Sequence, residues 1–336
     1  MLLSLQLLLR RRVGVLIRMA AVPFRPLLAP WYRVAEVDGA IAFEHAQAVV
    51  RLDGAAARSL VPRLLPLLDG TRTVDEIVAC VGEAVRPAVD NALTVLAGRR
   101  LLVDGPPLDE ADGDSVARLL AGTAPGMSEA DVAQALAAAH VAVAGSGRLA
   151  LEVARALRQA GIGAVAPADW DAVPDGDLAV AAPARDELTR LAGWNELALA
   201  AGRDWLQVLP FDGRFGAVGP LFVPGETCCH RCYRLRRHAN VPYPDEFEAV
   251  ESQPLAAATP PLLAAALAGL AALVAARWLA LRDPLLPARL HTLELRPALS
   301  LEEHLVYRVP RCPACSHTAV GGRPLPWFKE TGAEAA

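Results

Sequence analysis

Two cysteine pairs carry the most explicit chemistry in this sequence. Cys229 and Cys232 form one C-x2-C knuckle, Cys312 and Cys315 a second, and 79 residues separate them. Four thiolates in two knuckles match the tetrahedral set that structural zinc prefers. Such a closed site leaves no position for a reacting water, so its role would be architectural. The alternative is two redox pairs. Cys228 is surplus to the set. Cys80 falls on a predicted helix, where a small buried thiol is expected.

A second pattern begins at the strand His140–Ala144, which runs into Gly145, Ser146 and Gly147 and then an apolar helix through Ala160. Strand, G-x-G-x-x-A and helix is the context of a dinucleotide fold, and Asp169 stands 24 residues after Gly145, where a ribose-binding acid would sit. Glycines in this place also serve close strand-to-helix packing with no ligand. A nicotinamide-dependent dehydrogenase would rest on this loop alone. The chain has one lysine, Lys329, so phosphate or Schiff-base chemistry through lysine has almost no residue to use. Arg231, Arg234, Arg236 and Arg237 crowd the first knuckle and read as a solvated face or a docking patch for an acidic partner. Asp245, Glu246, Glu248 and Glu251 are close enough in sequence to neutralise them. His230 and His238 read as surface residues. No Ser-His-Asp pattern, carboxylate pair or HExxH points to hydrolysis.

The whole chain sets limits on these readings. It has 336 residues with a net charge of −4, 54% apolar and 21% charged residues. That excludes general disorder and argues against nucleic-acid binding through phosphate neutralisation. Residues 1–18 place an apolar run before Arg10–Arg12, the reverse of a signal peptide, and Met19 reads as an alternative start. Leu262–Ala276 is uncharged, but Arg277 cuts it short of the roughly 20 residues of a membrane span. A cytoplasmic protein with no membrane partner is expected.

The elements that must position these groups divide the chain. Residues 1–27 read as disordered or mis-started. Residues 28–105 read as short strands around three helices, a winged-helix arrangement. Within it, Ile41–His45 and Ala48–Leu52 are strands, Thr73 and Glu76 form a capping box, and Val89, Leu93 and Leu96 line one helix face. Residues 106–139 are a linker, helical from Ser128. Residues 140–318 form an α/β sheet with further strands at Ala164–Ala166, Leu178–Ala182, Trp205–Leu209, Leu290–Leu295 and Leu305–Val309. Residues 319–336 read as a flexible tail.

The glycine loop, Gly219-Pro220, the stretch Pro224–Cys232 and the late C-x2-C together resemble the ThiF/MoeB-type adenylating enzymes. They resemble more closely the divergent ocin-ThiF-like proteins of ribosomal-peptide azoline biosynthesis. Leu68–Ile77 within residues 28–105 resembles the PqqD-type recognition element for leader peptides. The resemblance implies a Rossmann-like fold and a protein that binds a precursor's leader and presents its core to a YcaO-type cyclodehydratase, itself without catalysis. A homodimer is compatible with it. Adenylating members hold triphosphate with an arginine and a lysine after the second strand. Here about ten residues separate Ala166 from Asp177, too few for that crossover, so ATP binding is not expected and Gly145, Gly147 and Asp169 would be vestigial. The alternative is ATP-dependent adenylation of a peptide or carrier-protein carboxylate. A leader adding a strand to the small sheet would lie between Val49, Val50 and Arg51 on strand Ala48–Leu52 and Asn91, Thr94 and Val95 on helix Pro87–Gly98.

Overall fold

The computed structural model describes residues 21–45, 48–105, 116–123, 127–253, 258–295 and 297–316. Residues 1–18, the tail 319–336 and Lys329 lie outside them. The chain divides into two compact units after Gln134.

The first unit contains two small sheets. Strands β1 (Pro26–Leu28), β2 (Arg33–Val37), β3 (Ala40–His45), β4 (Ala48–Leu52) and β5 (Leu102–Asp104) pair antiparallel as β2-β3-β4 and β1-β5. β5 therefore joins β1 and not the three-stranded sheet. β1 and β2 carry no apolar alternation strong enough to mark them. The core is Ile41, Phe43, Leu64, Ile77, Val89, Leu93 and Leu96, all buried, so the three-residue set on helix Arg86–Gly98 faces inward as its spacing requires. Thr73 caps helix Val74–Val81, its hydroxyl accepting from the Glu76 amide while the Glu76 carboxylate accepts from the Thr73 amide. The same helix buries Ile77 and Val78 but leaves Cys80 exposed, on its outward side. The expectation of a buried thiol there is corrected.

In the second unit one mixed sheet has the order β12-β11-β10-β9-β8-β6-β7. β6 (His140–Ala144), β7 (Ala164–Ala168), β8 (Leu178–Ala181) and β9 (Trp205–Leu209) are parallel; β10 (Phe215–Phe222), β11 (Arg289–Glu294) and β12 (Ser300–Leu305) continue antiparallel. β10 escapes sequence reading because Gly216, Gly219 and Pro220 look like breakers; its pairing with β9 shifts register between Val218 and Leu221. The last strand is Ser300–Leu305 rather than Leu305–Val309. It is an exposed, charged edge without the apolar pattern that marks a core strand. No helix separates β7 from β8.

Helix Pro261–Leu281 is, among the described residues, the one helix long and apolar enough to cross a membrane. It extends past Arg277, which pairs with Asp283, so the expected truncation is corrected. It packs on helix Arg148–Gln159 and on β9 and β10, and buries Ala264, Leu267, Ala268, Ala271, Ala275 and Ala276. The small side chains permit that close packing.

Candidate functional site

The four knuckle cysteines converge. Cys229 opens helix His230–His238 as its N-cap, which places Cys232 in the first turn. The second knuckle follows β12, where the Cys312 amide donates to the Val309 carbonyl and the Ser316 amide to the Cys312 carbonyl. Arginines tie the two chain segments together. Arg308 donates to the carbonyls of Gly225 and Thr227, and Arg236 to those of Tyr307 and Arg308. The four Sγ atoms lie within 4.8 Å of one another and all four residues are buried. Measured separations are 3.8 Å for Cys229–Cys232, 3.7 Å for Cys229–Cys312 and 3.5 Å for Cys232–Cys315.

These distances distinguish the possible chemistries. A disulfide needs about 2.05 Å between sulfurs. A tetrahedron with metal–sulfur bonds of about 2.3 Å places its sulfurs about 3.8 Å apart. The cluster has the second geometry and could hold a metal ion. The electrostatics agree. Hydrogen bonding from Cys229 pulls the Cys232 thiol down to about 4 against the burial that raises it, and the backbone amides of Cys229 and Val309 help. Burial pushes Cys315 up to about 12, and Cys229 also rises, first through its bond to Cys232. Without a cation, Cys229 and Cys315 resist ionisation beside the Cys232 thiolate. Cys228, buried beside them, is pushed up to about 12 mainly by desolvation.

The glycine loop has been filled from within. The backbone amides of Ser146 and Ala184 both donate to Glu187 Oε2, at 3.1 and 2.8 Å. Amides at a glycine-rich helix start are where a phosphate would bind. Burial raises the Glu187 pKa, but the hydrogen bonds from Ala184 and Ser146 outweigh it and leave the carboxyl below its usual range. Gly145 has φ +135°, and a Cβ there would lie 2.1 Å from the Ala182 carbonyl oxygen; a Cβ on Gly147 would lie 3.1 Å from the Ala184 Cβ. Packing alone thus demands Gly145, while Gly147 sits in a tight contact that a small shift of Ala184 could relieve. Asp169 is exposed just past β7, and the pairing of Ala144 with Ala168 puts it beside Gly145 at the strands' carboxyl ends.

Three of the four arginines beside the knuckle are neutralised internally, while Arg236 donates to backbone carbonyls. Arg231 and Arg234 pair with Glu248, Arg234 and Arg237 with Glu251, and Arg237 also with Asp212. Both histidines are buried, which corrects the surface reading. His238 lies against Glu248 and Glu251. His230 bonds through Nδ1 to Gln207 Oε1 at 2.7 Å, and burial with the charges of Arg234, Arg231 and Arg237 lowers its pKa to about 3. Asn195 Oδ1 accepts from the His230 amide and so caps the knuckle helix. Sequence reading missed Glu187, Asn195 and Gln207, since each acts on a partner distant in the chain.

In the first unit β4 is an edge strand. Its register with β3 pairs Val50 with Phe43, Val49 with Glu44 and Arg51 with Ala42. Val50 therefore shares the inward face with Phe43, while Val49 and Arg51 share the other, and the three cannot line one side together. Arg51 binds Asp53. Asn91, Thr94 and Val95 are all exposed on their helix, with the Thr94 hydroxyl donating to the Asp90 carbonyl. Val50, Leu52 and Ala92 are partly buried against the same core.

No family model and no curated protein matches this sequence. Solved structures do. The heterocyclase TruD superposes with a TM-score of 0.66 at 26% identity, covering 87% of this chain and 43% of the TruD chain. A heterocyclase in complex with substrate and cofactor also gives 0.66 at 26%, covering 88% and 40%. E. coli MccB gives 0.62 at 14%, covering 91% and 99%; it has also been solved with AMPCPP and MccA. The chain spans less than half the length of the heterocyclases it matches. It has the ThiF/MoeB-like fold that serves peptide-modifying enzymes such as TruD and MccB.

Proposed function

We propose that this chain binds the leader of a ribosomally made precursor peptide and presents its core to a YcaO-type cyclodehydratase for azoline formation, without catalysing a step itself. The likeness to TruD supports a place in peptide heterocyclisation, and the 43% coverage puts the remainder of such an enzyme beyond the region matched here. One observation carries the non-catalytic half of the reading. Glu187 holds the two amides that a nucleotide phosphate would need, and a carboxylate there repels a triphosphate. The missing crossover helix between β7 and β8 agrees.

Residues 28–105 act, in this reading, as a PqqD-like winged helix. A leader would extend the small sheet along β4. Val50 and Leu52 would give it an apolar floor, with Asn91, Thr94 and Val95 on the neighbouring helix face. Zinc at Cys229, Cys232, Cys312 and Cys315 would hold the second unit's last segment in place.

Fluorescence polarisation with a labelled leader tests the binding half. Arg51→Ala and Thr94→Ala should weaken binding with an unchanged melting temperature, because both side chains are exposed and outside the core. Absence of leader binding by the wild-type protein would refute it. Micromolar ATP affinity or pyrophosphate exchange would instead favour adenylation.

A further inference from the structure

A cavity of about 410 Å³ opens where β9 ends, between that strand, the start of helix Arg190–Ala201 and helix His230–His238. Its place outside the carboxyl ends of parallel strands is where α/β folds bind ligands, and its volume suits a small molecule. The walls are apolar, from Leu191, Leu209, Phe215, Phe247 and Val250. The charged residues at its rim cancel, since Arg237 pairs with Asp212 and Glu251 and stacks over Phe215 and Phe247.

Two buried polar groups break that apolar lining. Tyr233 is 6% exposed and its hydroxyl has no hydrogen-bond partner. Arg237 stands as a potential donor to that oxygen and Asp212 and Glu251 act on it through their charge, all three lining the same cavity, so it is the hydroxyl proton that lacks an acceptor. A buried hydroxyl left unpaired costs about 1–3 kcal/mol, so a group that satisfies it is favoured. His230 supplies the second. The Gln207 amide nitrogen donates to the Gly219 carbonyl, which turns the Gln207 oxygen toward His230. That oxygen can only accept, so Nδ1 carries the proton. Nε2 is then the acceptor nitrogen of a ring that lines the cavity. The two rings lie one helical turn apart with centroids 6.0 Å from each other.

We infer that this cavity binds an uncharged aromatic ring bearing an O–H group, which accepts from the Tyr233 hydroxyl and donates to His230 Nε2. A phenol does both, as a free molecule or as a tyrosine side chain, whereas an indole N–H can only donate and so meets His230 alone. The inference is independent of leader binding, and needs neither the glycine loop nor β4.

Titration calorimetry and saturation-transfer NMR on the full-length, metal-loaded protein test it with p-cresol, indole and toluene. p-Cresol should bind with Kd at or below about 1 mM, a fair affinity for so few atoms. Indole and toluene should bind more weakly. Tyr233→Phe should weaken p-cresol about three- to tenfold, the loss of one neutral hydrogen bond, and leave toluene unchanged. Ala192→Trp, at an exposed helix position on the cavity wall, should abolish binding of all three while the melting temperature holds. If N-acetyl-tyrosinamide binds as well as p-cresol, the source is a peptide side chain; if it is excluded, the ligand is a free ring. No binding of p-cresol up to its solubility limit, or equal affinity for toluene and p-cresol, would overturn the inference.

Discussion

Glu187 supplies an internal carboxylate at the glycine-loop amides, a place where an external anion could otherwise bind. Removing it should have two effects. Glu187→Ala frees the Ser146 and Ala184 amides, and stability should drop by roughly 1 kcal/mol after discounting for solvent screening. Because the folded-state pKa is depressed, this contribution is complete above the unfolded value near 4.5 and fades as pH falls through the folded value. The stability gap between wild type and Glu187→Gln in thermal melts should therefore narrow as pH falls below the unfolded value of 4.5. At the knuckles, elemental analysis should find one zinc per chain. Cys312→Ser should lose it, with a lower melting temperature, since site assembly is coupled to folding. Protons compete with the metal for thiolate, so acidification should release the ion, which a chromogenic chelator would detect.

At the scale of elements, the junction from β6 to helix Arg148–Gln159 shows why a glycine motif is ambiguous. A methyl group on Gly145 would strike the Ala182 carbonyl, just past β8, at 2.1 Å and would be strained by φ +135°. Gly145→Ala should thus destabilise the second unit by several kcal/mol with or without ATP present, whereas a purely nucleotide-binding glycine would tolerate the change until ATP is added. In the first unit, Thr73→Ala removes a reciprocal cap and should cost about 1 kcal/mol in denaturant melts. Beyond helix Val74–Val81, the free edge of β4 is the element through which a peptide could be recognised, and it presents Val50 and Arg51 to opposite faces.

At the scale of the whole molecule, the proposed role has a single readout. A precursor peptide incubated with a YcaO-type cyclodehydratase and ATP should lose one water per ring when this protein is present, and should remain unmodified without it. The likeness of this chain to 43% of TruD defines the region being tested. Much of that architecture was legible locally. The C-x2-C spacings are read from the residues themselves because each knuckle is a short-range motif. The capping box at Thr73 and the strand–glycine–helix junction are legible for the same reason, since a helix start is satisfied by residues within one turn. The tertiary structure decided everything that needed a distant partner. It closed the gap between Cys232 and Cys315 to 3.5 Å and brought Glu187 across 41 residues to the amide of Ser146. It turned His230 inward against Gln207 and made β10 a central strand despite its glycines. The physical reason is range: hydrogen bonding within a turn is written in neighbouring residues, whereas burial, strand register and the meeting of side chains depend on how the sheet orders its strands.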